Sequence, residues 1–104
     1  MNRDDRVVAE GLQYQGVDEQ IAYSLTTTTW GSTPSTITVE AYDESADYAD
    51  VSSTVLSGTA SVDGDVITLP TLKSLTDGHK YRVEIKFTVG GNVLEAVVPV
   101  QAQR

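Results

Sequence analysis

The sequence predicts an all-β chain, an antiparallel β-sandwich of about seven short strands with an N-terminal arm. Three observations predict it. Val, Thr and Ile make up 31 of the 104 residues. Their β-branched side chains are stiff at χ1 and suit a pleated surface better than a helix. Residues 80–87 alternate without a fault, Tyr81, Val83, Ile85 and Phe87 against Lys80, Arg82, Glu84 and Lys86, which is the period of a strand buried on one face. Turn residues recur at roughly 8–12-residue spacing, and no helical period outlasts a turn. A chain of this length supports one hydrophobic core. The expected division is an arm over 1–16 and one domain over 17–104.

The elements follow in order. Gly11 and Gly16 interrupt the arm, leaving Val7 and Val8 as its only strand-forming stretch. Ile21, Tyr23 and Leu25 then share one face of a half-buried strand. Thr27 to Ser35 is a loop punctuated by Gly31 and Pro34, with Trp30 inside it. From Thr36 to Tyr42, Ile37, Val39 and Ala41 face one way and Thr38, Glu40 and Tyr42 the other. Asp43 to Asp50 breaks that alternation, and Val51 to Leu56 is expected as a short edge strand. Asp63-Gly64 between extended runs predicts a type I′ hairpin, and Pro70 ends its second strand. After the strong strand, Gly90-Gly91-Asn92 turns the chain into a last strand over Val93 to Ala102. Leu94, Ala96, Val98 and Val100 are its buried set, and Pro99 points to an edge or a bulge.

Charge and composition exclude several function classes. Formal net charge is −8, and residues 7–72 carry ten acids with no Lys or Arg. Residues 73–104 carry five bases and three acids. Nucleic acid and anionic membranes need cations to replace counterions, so neither is an expected partner. Cysteine is absent, so no disulfide or thiolate metal site exists. No signal-peptide pattern or apolar run of about 20 residues occurs, and synthesis in the cytoplasm is the expectation.

Little in the sequence carries chemistry. His79 is the only histidine and follows the turn Asp77-Gly78. Without a Gly-rich elbow around any serine, the residues give it no triad, and an exposed turn residue is the plainer reading. No HExxH, GxxxxGK or GxGxxG pattern occurs. The acidic stretch Asp43, Glu44, Asp47 and Asp50 is the one calcium candidate, but it lacks the EF-hand order and reads as a solvated loop. No catalytic residue, cofactor or metal is therefore expected. The aromatic residues divide by face. Tyr23, Tyr81 and Phe87 belong to the core. Tyr14, Tyr42 and Tyr48 fall outward or on loops and, with Val7 and Val8 of the arm, are interface candidates. Trp30 either anchors an interface too or folds over one end of the sandwich.

Two resemblances extend this reading. Leu72, Leu75, Gly78, Tyr81, Val83 and Ile85 keep the spacing of the turn into strand F of fibronectin-III and immunoglobulin-like domains. The likeness implies an immunoglobulin-like fold in which Tyr81 forms a tyrosine corner, its hydroxyl bonded to backbone a few residues upstream. Over residues 20–102 the chain also resembles small structural proteins of tailed bacteriophages, the fiber-tail adaptors and related neck and head proteins. Gly78, Tyr81, Val83, Phe87, Thr88, Gly90 and Gly91 carry that likeness. It implies a non-enzymatic virion protein in the neck or tail-fiber attachment region, oligomeric in the particle and in contact with capsid, neck or tail subunits. One motif departs: Val55-Leu56-Ser57-Gly58 stands where a Trp-Leu-Ser-Gly run is expected. Adaptor and capsid-decoration roles thus both stay open, and a carbohydrate-binding module with Trp30 and Tyr42 as its platform is the third alternative.

Overall fold

The computed structural model describes residues 13–27, 31 and 33–103. Ten strand segments follow one another: β1 (Gln13–Gly16), β2 (Ser24–Thr26), β3 (Ser35–Asp43), β4 (Ala49–Asp50), β5 (Leu56–Ser57), β6 (Ser61–Asp63), β7 (Val66–Thr68), β8 (Thr71–Leu72), β9 (Lys80–Val89) and β10 (Asn92–Gln103). One layer has the order β1-β10-β9-β3-β4. The other has the order β2-β7-β6 and is prolonged by the β5-β8 pair and an Ile21–Leu72 bridge. A β10-β9-β3 sheet extended by β4, against a β2-β7-β6 layer, makes an all-β, sandwich-like fold.

β9 organises the first layer because both its edges are paired. It runs antiparallel to β10 from Val89 to Lys80 and antiparallel to β3 from Thr88 to Tyr81, with a register shift between Ser35 and Thr38. Its alternation puts Tyr81, Val83, Ile85, Phe87 and Val89 into the core, where they meet Leu25, Ile67, Leu69 and Leu72 of the second layer. Ala41 on β3 and Ala96, Val98, Val100 and Ala102 on β10 fill the same layer of side chains. Gly90 and Gly91 close the β9–β10 hairpin with φ of 55° and 84°. Positive φ at both central residues is the type I′ geometry, whose twist matches that of the strands.

Several elements differ from the sequence reading. Residues 13–16 belong to the sandwich rather than the arm, because β1 pairs in parallel with residues 100–103 of β10. The stretch read as an edge strand over 51–56 holds a helical turn, α1 (Ser52–Val55). The Asp50 carboxylate accepts the Ser52 N–H and hydroxyl at 2.9 and 2.7 Å, and the Thr54 and Val55 N–H groups return to the Val51 carbonyl. These local bonds compete with strand pairing, and the turn sinks Val55 into the core. In the β6–β7 hairpin the closing pair is Asp63 with Val66, so Gly64 and Asp65 are the central residues. Only Gly64 has positive φ, which fits type II′ and not the expected I′. Val7 and Val8 lie outside the described residues, as does Trp30.

Gly31 closes the end of the sandwich. Its N–H donates to the Thr27 carbonyl and its carbonyl accepts the buried Thr27 hydroxyl, both at 2.8 Å. Its φ is +141°, and a Cβ there would run into the Val89 side chain. Gly31→Ala is therefore expected to lower unfolding free energy by about 2–4 kcal/mol through backbone strain and overpacking. Urea denaturation of the two chains measures the difference.

Candidate functional site

The outer face of the five-stranded layer brings together two of the aromatic residues singled out above. Pairing fixes its rows. Tyr14 lies beside Gln101, which is opposite Lys80. Pro99 faces Arg82, which faces Tyr42, which faces Asp50. Val97 faces Glu84, which faces Glu40. Tyr14 is 60% exposed, whereas Val97, although on this outer face, is only 8% exposed. Glu40 and Glu84 stand directly opposite each other, a like-charge pair that costs stability in a sheet. Arg82 relieves it, with Nε donating to Glu84 Oε2 at 2.7 Å. The Tyr42 hydroxyl donates to Glu40, and its pKa is pushed up by burial and by the charges of Glu40, Asp50 and Glu84. The face thus combines aromatic rings with the carboxylates of Glu40, Asp50 and Glu84, the last paired to Arg82. Tyr48 stands apart, 59% exposed at the tip of the β3–β4 connection. It follows Asp47, and both residues have φ of 57°, a conformation costly for a bulky side chain.

A second polar cluster ties the β3–β4 connection to the start of β9. Asp43, buried at the end of β3, accepts the Ser45 N–H at Oδ1, and its Oδ2 is 2.7 Å from His79 Nδ1. The Ser45 hydroxyl accepts the Lys80 N–H at 3.0 Å. The His79 carbonyl accepts the Ala102 N–H and the Gln101 amide. Two residues further on, the Tyr81 hydroxyl accepts a 2.8 Å bond from the Thr76 N–H. Asp43 and His79 have the relation of an orienting acid to a base, but catalysis also needs a nucleophile in reach of the second ring nitrogen. Among the described residues no hydroxyl is bonded to His79. The pair acts as a clamp between two connections. The sequence placed both residues in turns, but not together.

Sequence reasoning passed over Gln15. This β1 side chain is fully buried and links the two layers. Its Nε2 donates to the carbonyls of Leu72 and Glu19 at 2.8 and 3.0 Å, and its Oε1 accepts the Tyr23 hydroxyl at 2.9 Å. A glutamine on the inward-facing alternation of a short strand is the one sequence signal that could have found it. Burial, then the charge of Glu19, push the Tyr23 hydroxyl above its ordinary value.

Among the described residues no cluster of His, Cys, Asp or Glu is arranged to hold a metal ion, and no helix is long and apolar enough to cross a membrane. Comparison with known protein families, curated proteins and solved structures finds no match to the chain.

Two outcomes follow from these clusters. Asp43→Ala removes a buried acceptor of two bonds and is expected to cost about 2–3 kcal/mol in denaturant unfolding. Tyr23 has a raised folded-state pKa, so its stabilising share is complete below its unfolded value and is lost as pH rises through the folded one. As pH rises above about 10, the native chain should lose thermal stability more steeply than Tyr23→Phe.

Proposed function

We propose that the chain is a non-enzymatic structural protein of a tailed-bacteriophage particle, an immunoglobulin-like adaptor in the neck or tail-fiber attachment region. Its partners are capsid, neck or tail subunits and further copies of itself. The observation that carries the reading is the outer face of the five-stranded layer. Tyr14 and Tyr42 supply rigid, amphipathic contact area. The carboxylates of Glu40, Asp50 and Glu84 give that face a charge pattern that a basic partner surface would complement. The long hairpin of β9 and β10 backs the face with a packed core, so binding there costs little ordering. The resemblance in residues 78–91 supplies the phage context.

The alternatives divide by outcome. In particles assembled with a tagged copy of the chain, electron microscopy is expected to place the tag at the neck in few copies. A regular array over the capsid surface would transfer the role to decoration, and absence from particles would overturn both. The double variant Tyr14→Ala/Tyr42→Ala should fold, as judged by circular dichroism, and lose roughly tenfold or more of its incorporation. Undiminished incorporation would show that another surface docks.

A further inference from the structure

β3 is paired with β9 along one edge, and on the other edge, among the described residues, only at its β4 end. The Ala41 carbonyl accepts the Val51 N–H, and the Ala41 N–H donates to the Ser52 hydroxyl, both on the β4 side. Successive residues of a strand direct their backbone groups to opposite edges, so Thr38, Glu40 and Tyr42 bond towards β9 and Val39 points the other way. β4 reaches only Tyr42 and Asp43. Among the described residues no strand lies beyond Val39 on that side. Its N–H and C=O form an open template.

A groove runs beside this edge. It has a volume of about 260 Å³ and is lined by Ile37, Thr38, Val39, Gly58, Thr59, Ala60 and Pro70. It exists because the second layer is broken there: β5 stops at Ser57, β6 resumes at Ser61, and Pro70 separates β7 from β8. Ile37 and Val39 are inward-facing residues left half-buried by that break. On β3 and the connection that follows it, Glu40, Asp47 and Asp50 are exposed and Glu44 is partly so.

We propose that this edge and groove take residues 6–10 of a second copy as an added antiparallel strand. Arg3 and Arg6 are the only Lys or Arg residues before Lys73, and Val7-Val8-Ala9 follows Arg6 directly. α1 blocks the edge at Ala41, so the first open position is Glu40. With Arg6 opposite Glu40, the two side chains make an oppositely charged cross-strand pair. Val7 then exchanges both backbone bonds with Val39 and covers it in the groove, and Ala9 lies beside Ile37. Reach decides between one chain and two. The added strand lies four strand spacings from β1, about 19 Å across the sheet. The three residues from Glu10 to Gln13 extend about 11 Å. The donor is therefore another copy. The donor segment precedes β1, and β1 and β3 lie towards opposite sides of the five-stranded layer, so the contact is head-to-tail, the kind that closes rings or extends filaments.

The inference rests on the reading of the chain as an assembling structural module. The chain has no cysteine, so engineered cysteines report the contact cleanly. A Val7→Cys copy mixed with a Val39→Cys copy is expected to form a mixed disulfide under mild oxidation, well above a Val93→Cys control. In sedimentation, removal of residues 1–12 and the Arg6→Glu variant should each weaken self-association roughly tenfold or more. Adding Glu40→Arg to Arg6→Glu should restore it. Cross-linking no better than the Val93→Cys control, or undiminished self-association without residues 1–12, would overturn the proposal. Incorporation into particles is scored on the same variants. Incorporation without the Val7–Val39 cross-link overturns strand exchange and leaves the structural role standing. A cross-linked chain absent from particles supports strand exchange and overturns the particle role.

Discussion

The structure depends on the register of β9. This strand alone in the first layer has a long partner on each edge, and its alternation decides which side chains of β3 and β10 share the core. The Tyr81 hydroxyl pins the start of β9 to the Thr76 backbone, and the His79–Asp43 contact pins the same region to the end of β3. A slip of one residue would send every apolar side chain of β9 to the outer face. On β3 side-chain face and backbone direction alternate together, so turning Val39 and Ala41 to the core points their N–H and C=O groups away from β9. The open template at Val39 is thus a consequence of the same register that fills the core.

The edges of the sandwich are managed unequally. At the β10 edge, Pro99 lies just before β1 begins to pair. Arg82 bonds towards β3, so the backbone nitrogen of Pro99 points away from β9, where no described residue would accept a bond from it. At the β3 edge there is no proline between Ser35 and Asp43. That edge presents β-branched residues beside an apolar groove. Open edges of this kind invite pairing unless something blunts them. The proposed donor strand, preceded by arginine, complements Glu40 beside that edge.

Much of the fold was legible because its strongest signals were periodic. The alternation in β9, the inward set of β10 and the Ile37–Val39–Ala41 face of β3 all follow from side chains two residues apart. What escaped was local hydrogen bonding that overrides weak alternation. α1 forms where Asp50 captures Ser52, and the β6–β7 turn shifts by one residue because Asp65 supplies its carbonyl to Thr27. β1 was missed because four residues with one buried glutamine have no apolar period at all. The candidate face was half legible. Outward alternation placed Tyr42 there, but only the parallel pairing of β1 with β10 brings Tyr14 to the same side. The groove was invisible, because it arises where two strands of different sequence break at the same height.

Amide hydrogen exchange along β3 tests the account most directly. In the dilute, monomeric chain lacking residues 1–12, the register predicts slow exchange at Thr38, Glu40 and Tyr42, which bond to β9, and at Ala41, held by Ser52. Val39 alone among residues 38–42 should exchange rapidly, and in the self-associated full chain it should become protected. Slow exchange at Val39 in the monomer, or rapid exchange at Thr38 and Glu40, would contradict both the register and the open edge built on it.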